Sequence, residues 1–116
     1  MTTQPALSLA HAERLLDSSD VATPHSARLA AVLARQALEE LVSTRCAELG
    51  LAVPDATMRS KLVILRSLDS QDRADAAALA WNRLSSVCHH HAFELSPTVA
   101  EVRHLCAAVA TLLKGP

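Results

Sequence analysis

Aromatic residues are almost absent from this chain of 116 residues. Trp81 and Phe93 are the only two, and there is no tyrosine. Any hydrophobic core therefore has to be aliphatic, and half of the residues are apolar, with alanine, leucine and valine prominent. Glycine is equally scarce, because only Gly50 and Gly115 occur. Since alanine and leucine rank high in helix propensity and glycine ranks low, the composition predicts an all-α protein.

The chain also lacks a strong net charge, a paired set of cysteines and a long apolar run. Its net charge of −1 excludes a global basic field that would hold nucleic acid nonspecifically. Cys46, Cys88 and Cys106 are odd in number and widely spaced, which predicts small buried thiols rather than disulfides. No stretch approaches the roughly 18 apolar residues of a membrane span, and residues 1–5 carry no secretion signal. We therefore expect a cytoplasmic protein with no membrane association.

Hydrophobic periodicity divides the chain into helices within one domain that spans 1–116. We predict a flexible tail over 1–5 and helices over 6–17, 24–49, 56–68, 71–93 and 98–113. The predicted helix starts are at Thr23-Pro24, Asp55 and Ser96-Pro97, with Gly50 as a left-handed stop. The second helix is apolar around much of its circumference, which is typical of a central helix. Short connections then predict an up-and-down bundle of four to five helices.

The third helix has a simple predicted orientation. Its inward side chains are expected to be Met58, Leu62, Leu65 and Leu68. Its outward side chains are expected to be Arg59, Lys61 and Arg66.

The fourth predicted helix has an apolar side and a polar side. It contains the only tryptophan and ends in three of the six histidines. On a helical wheel of about 100° per residue, one side is predicted to be buried: Ala77, Trp81, Leu84 and Cys88. The opposite side carries polar groups, with two of them toward one flank: Arg83, Ser86, His90, Asn82 and His89. On most helices such a polar face simply contacts solvent. Any chemistry of this face therefore depends on the molecule that binds to it.

The polar face predicts a dimer more readily than a metal site. Arg83 and His90 lie seven residues apart, or about 10.5 Å along the helix, so two copies crossing here would surround one groove with both residue types. Adjacent histidines point about 100° apart and cannot share an ion as an i, i+4 pair can. We therefore predict no metal. A metal sensor would instead require His89 or His91 close to His104 or His25.

A family resemblance follows from two segments. Arg83-Leu84-Ser85-Ser86-Val87-Cys88-His89 reads Arg-x5-His, and His90 extends it to Arg-x6-His. This pattern resembles the Arg-x(4–6)-His signature of the HEPN superfamily (higher eukaryotes and prokaryotes nucleotide-binding domains). The run Ala34-Arg35-Gln36-Ala37-Leu38-Glu39-Glu40 is similar to a helix of small bacterial members. Together with helical content and chain length, the likeness covers most of the chain and implies a HEPN-like bundle.

The resemblance implies a metal-independent endoribonuclease that works as a homodimer without a cofactor. Arg83 would stabilise the phosphate charge in the transition state, and His89 or His90 would act as general acid/base on the ribose 2′-OH. Asn82 and Ser86 would bind the RNA, and the product would be a 2′,3′-cyclic phosphate. Family members often act as toxins beside a nucleotidyltransferase-type antitoxin, in phage defence or in RNA processing. RNA and such an antitoxin are therefore the implied partners.

One departure from the family pattern favours an alternative. Many active members carry a polar residue, often asparagine, directly after the arginine, and this chain has Leu84 there. Together with the near-neutral charge, Leu84 favours a non-catalytic module that dimerises or binds a protein through the same helix. An interface that gathers Arg83 and its histidine from both copies in one groove would favour the nuclease. Separate convex surfaces would favour the module.

Overall fold

The computed structural model describes residues 4–17, 24–88 and 98–114, and within these ranges every regular element is a helix. The five helices are α1 (Gln4–Asp17), α2 (Pro24–Glu48), α3 (Met58–Leu68), α4 (Gln71–Cys88) and α5 (Val99–Lys114). The all-α prediction is confirmed, and each pair of sequential helices is in contact. Of the described helices, none combines the length and apolar character that a bilayer span requires.

α2 is the central helix of the bundle, as predicted, because it contacts each of the other four. Its interior-facing positions are occupied mainly by alanine. The side chains of α2 with no solvent exposure are Ala27, Ala30, Ala31, Ala34, Ala37, Leu38 and Val42. Since the distance between packed helices depends on the side chains at their contact, these small residues let several neighbours approach α2 closely.

Gly50 ends α2 as the sequence predicts. Its φ of 95° lies in the left-handed region that glycine adopts without a Cβ penalty. The Leu51 N–H donates to the Cys46 carbonyl at 2.9 Å, and the Gly50 N–H donates to the Ala47 carbonyl at 3.0 Å. These two bonds form a Schellman motif and satisfy carbonyls that the helix end would otherwise leave unpaired.

Within the described residues, the other helix ends match the predicted boundaries or differ from them by one or two residues, and the predicted end of the fourth helix at 93 lies outside the described residues. α1 begins at Gln4 and so includes Pro5, because proline is tolerated in a first turn where its missing N–H has no partner. α3 begins at Met58 rather than 56, since Thr57, not Asp55, accepts the Ser60 N–H. α5 starts after Thr98, whose hydroxyl accepts the Glu101 N–H at 3.0 Å. The predicted cap at Ser96 lies outside the described residues.

Two predicted orientations in α3 are wrong. Leu68 was expected inside but is 50% exposed, because it ends a short helix that packs only on α2 and α4. Lys61 was expected outside but is half-buried. Its ammonium donates to the Ser43 hydroxyl on α2 at 2.9 Å, so the aliphatic stem packs along the bundle while the charged end keeps a polar partner. Leu65 is buried as predicted.

Cys46, Cys88 and Cys106 are free thiols, in agreement with the prediction of no disulfides. Cys46 and Cys106 are buried and Cys88 is half-buried. Burial raises the pKa of Cys106 to about 11 and raises the pKa values of Cys46 and Cys88 as well. The three thiols therefore behave as small apolar core groups at neutral pH.

An ion-pair network fixes the turn before α4. Arg45 on α2 donates to both carboxylate oxygens of Asp69, at 2.9 and 3.2 Å. Arg73 approaches the same carboxylate at 3.9 Å and also donates to the Leu112 carbonyl at 3.0 Å. The network joins α2 to the α3–α4 turn and to the end of α5, so it sets where α4 starts.

Candidate functional site

α4 presents its alanine-rich side to the bundle and leaves the other side open. Its start is capped by the Ser70 hydroxyl, which accepts the Arg73 N–H at 3.3 Å. Its contacts are with α2, α3 and α5. The buried residues of α4 are Ala74, Ala77, Ala80, Leu84 and Val87. Because the buried positions recur at helical spacing, the exposed residues between them form one continuous face.

Three predicted site residues lie on this exposed face. Asn82, Arg83 and Ser86 are all exposed, and all lie within one turn of each other on the same side of α4. Arg83 makes no hydrogen bond or ion pair in the part of the chain that the structure describes. The other predicted catalytic residues, His89 and His90, lie outside the described residues, as does His91.

The Trp81 side chain extends from α4 toward α2 and is not deep in the core. Its side chain is half-buried, and the Arg35 guanidinium lies over the ring at 4.4 Å from the centroid. The Arg35 Nε is buried without a hydrogen bond, and the Glu39 carboxylate is 4.0 Å away. The ring face therefore provides part of the electrostatic compensation for this cation. Trp81 lies at the edge of the side of α4 that the sequence predicts to be buried.

The described residues offer neither a reactive thiolate nor a metal centre beside Arg83. Cys88 is held as a thiol because its burial raises the pKa, although Arg35 and Arg28 act in the opposite direction. Across 4–17, 24–88 and 98–114, no three His, Cys, Asp or Glu side chains are grouped to hold an ion. His104 is exposed, but the histidines that the metal-sensor hypothesis would bring to it lie outside these ranges.

Two open grooves flank Trp81. The larger, of about 1020 Å³, runs past Arg35, Lys61 and Arg73. Its cations already have intramolecular partners, since Lys61 donates to Ser43 and Arg73 to the Leu112 carbonyl. The smaller groove, of about 360 Å³, separates α3 from α4 and is lined by Arg59, Val63, Ala78 and Asn82 among others. The smaller groove therefore borders the face that carries Arg83.

An apolar residue that the sequence reasoning missed is central to this face. Leu79 on α4 is 61% exposed, and Val63, which lines the smaller groove from α3, is 59% exposed. They are the two most exposed large apolar side chains of the described ranges. Leu79 precedes Arg83 by four residues, so the spacing alone could have placed both on one face. Its exposure could not be read from composition, because leucine is usually counted toward a core.

Within the described residues the chain forms five helices and no strand, and α4 exposes an arginine without an ion pair close to an exposed leucine. No protein-family model, no curated protein and no solved structure matches the chain. Membership of the HEPN superfamily therefore stays a prediction from the sequence.

Proposed function

We propose that this protein is a HEPN-like, metal-independent endoribonuclease that acts as a homodimer. The observation that carries the proposal is the state of Arg83. Its side chain is exposed, has no ion pair among the described residues and shares a face with Asn82 and Ser86. It also precedes His89 by six residues in the chain.

Arg83 differs from Arg45 and Arg103 in its availability to a phosphate, a property that it shares with the exposed Arg28 and Arg59. Arg45 is engaged by Asp69, and Arg103 donates to the Asp17 carboxylate at 2.6 Å. Arg83 has no such carboxylate within the described ranges, so its guanidinium is available as a planar fork for two phosphate oxygens. Asn82 and Ser86 add neutral hydrogen-bonding groups beside it, which suit a ribose or a second phosphate oxygen.

The proposed reaction needs only groups that the chain contains. His89 or His90 takes the proton from the ribose 2′-OH, whose oxygen attacks the adjacent phosphorus. The bond from phosphorus to the 5′-oxygen of the next nucleotide breaks, and that oxygen receives a proton from a histidinium. Arg83 stabilises the charge on the phosphate oxygens as this happens. The products are a 2′,3′-cyclic phosphate end and a 5′-hydroxyl end.

The test is cleavage of single-stranded RNA by the purified protein in EDTA. We expect wild type to cleave and to leave cyclic-phosphate ends. Arg83→Ala, and the double variant His89→Ala/His90→Ala, should each lose at least about 100-fold in rate, the usual size of such contributions. The matched control is Lys114→Ala, which removes one exposed cation at the end of α5. This control should retain the wild-type rate.

A folded wild-type protein that leaves RNA intact in this assay would rule the proposal out. It would favour the second candidate function, a non-catalytic module that dimerises or binds a protein through α4. Two observations support this candidate. Leu79 is exposed beside Arg83, and Leu84, at the position that is often polar in active family members, has no solvent exposure.

A further inference from the structure

The exposed face of α4 carries opposite charges at its two ends and an apolar residue between them. Asp72 and Asp75 lie toward the start of the helix, Leu79 in the middle, and Arg83 and Ser86 toward the end, all of them exposed. Asp75 forms an ion pair with Arg66 of α3 at 3.3 Å. Asp72, like Arg83, has no ion pair among the described residues.

These positions are symmetric about Leu79. Asp75 and Arg83 lie four residues before and after it, which is about 6 Å along the axis in each direction. Asp72 and Ser86 lie seven residues before and after it, about 10.5 Å away. On the helical wheel all four fall within about 40° of Leu79. When the helix is reversed about Leu79, each acidic position therefore coincides with a cation or a hydroxyl. Asp75 coincides with Arg83, and Asp72 coincides with Ser86.

We infer that this face binds the same face of a second copy of the chain, with the two α4 helices antiparallel and a two-fold axis at Leu79. The two Leu79 side chains then pack against each other at the centre. Arg83 of each copy lies opposite the Asp72–Asp75 segment of the other. An interface between identical surfaces of this kind is isologous, so every favourable contact occurs twice.

Charge complementarity selects this partner and this direction. A parallel pairing of the same helices would set Arg83 against Arg83 and the acidic ends against each other, which is unfavourable. A purely acidic or purely basic partner would leave one end of the face opposed to like charge. Arg59 and Arg66 of α3 border the groove beside this face, and Arg66 already offsets part of the charge of Asp75. In this arrangement Arg83 lies opposite Asp75 of the other copy, and Asp72 lies opposite Ser86, whose hydroxyl can donate to the carboxylate.

The exposed apolar area is in the same place. Leu79 on α4 and Val63 on the neighbouring α3 are the two most exposed large apolar side chains of the described ranges. Val63 lines the smaller groove, which borders the exposed face of α4, and buried apolar area at the centre of a polar rim is the usual anatomy of an interface. The inference rests on the second candidate function, the module that dimerises through α4, because an Arg83 that pairs with Asp75 of the other copy is not available to phosphate. It requires no RNA cleavage.

Sedimentation velocity over a concentration series tests the apolar centre. Wild type is expected to dimerise, and Leu79→Glu should raise the dimer Kd by at least about tenfold, because it places two carboxylates against each other. The matched control is Leu7→Glu on α1, where the leucine is 52% exposed, and its Kd should equal that of wild type. A monomeric wild type, or a Leu79→Glu variant that dimerises as wild type does, overturns the inference.

Charge reversal tests the direction of pairing. Arg83→Asp alone and Asp75→Arg alone each oppose like charges twice across the axis, so each homodimer should weaken by about tenfold or more. Mixed in equal amounts, the two variants form a heterodimer in which both charge pairs are complementary again, and its Kd should return close to that of wild type. Circular dichroism confirms that each variant is folded. A mixture no tighter than the separate variants contradicts the antiparallel arrangement.

The two proposals make opposing use of Arg83, and their outcomes are distinguishable. If the protein forms a dimer that depends on Leu79 but cleaves no RNA, the interface proposal stands and the nuclease proposal is rejected. If RNA cleavage depends on Arg83 and Leu79→Glu leaves the dimer Kd unchanged, the nuclease proposal stands and this interface is rejected.

Discussion

Arg83 and Leu84 are adjacent in the chain but differ in burial. Arg83 is exposed, whereas Leu84 has no solvent exposure and belongs to the core. Adjacent residues on a helix point about 100° apart, so a side chain directly after Arg83 is carried into the bundle. Position 84 therefore belongs to the core, where packing favours an apolar side chain.

Leu84→Asn, which introduces a polar residue at this position, is expected to destabilise the protein by at least about 3 kcal/mol. The substitution removes buried aliphatic volume and leaves an amide without partners in the core. Urea unfolding followed by circular dichroism measures the effect. The control is Arg83→Asn at the adjacent exposed position, which should change stability by less than about 0.5 kcal/mol. Equal stability of Leu84→Asn and wild type would contradict the assignment of Leu84 to the core.

At the scale of the helices, periodicity predicts more than capping residues do. All five helices were predicted from apolar spacing, and Gly50 was correctly identified as the end of α2. The start of α3 was misplaced because Asp55 and Thr57 are both suitable caps, and only the backbone path determines which oxygen reaches a free amide. The orientation of Lys61 likewise depended on Ser43, a partner 18 residues away.

Thr57→Ala is expected to destabilise the protein by about 1 kcal/mol, the usual value of an N-cap side chain. The Thr57 hydroxyl accepts the Ser60 N–H at 3.1 Å, and its loss leaves that amide to solvent alone. Chemical denaturation of Thr57→Ala and Asp55→Ala in parallel makes the comparison. The Asp55 variant should differ from wild type by less than about 0.5 kcal/mol. A larger loss in Asp55→Ala than in Thr57→Ala would restore the boundary that the sequence suggested.

At the scale of the whole molecule, Asp69 links the charge state of the chain to the packing of three helices. Hydrogen bonding from Arg45 is the main cause that holds the pKa of Asp69 below its ordinary value of 3.8. The folded state therefore binds this proton less readily than the unfolded chain does. The stabilisation is fully present above about pH 4 and is lost as the pH falls through the lowered pKa of the folded state.

Asp69→Asn should accordingly flatten the acid limb of the stability profile. We expect the free energy of unfolding of wild type to fall as the pH drops below about 4, and the variant to show a smaller fall over the same interval. Thermal unfolding at a series of pH values provides the measurement. Asp55→Asn, an exposed aspartate without an ion pair in the described ranges, is the control and should follow the wild-type profile. Parallel profiles for wild type and Asp69→Asn would contradict the role of the pair.

The candidate site was predicted only as a set of polar residues on one face. Asn82, Arg83 and Ser86 were placed correctly because the helical wheel needs no tertiary information. The exposed Leu79 and Val63 were not foreseen, since exposure depends on which neighbouring helices cover a position. Two separate grooves border Trp81 because α2, α3 and α4 meet there. The order of residues along the chain does not reveal how these three helices meet.

The contact between Arg35 and Trp81 gives this protein a built-in optical probe. Because the chain has one tryptophan and no tyrosine, its ultraviolet emission comes almost entirely from a single indole. That indole lies under a guanidinium from α2 while its own backbone belongs to α4. Any displacement of α4 against α2 changes the electric field at the ring and therefore its emission wavelength. Fluorescence can thus report movement of the candidate site in the unlabelled protein.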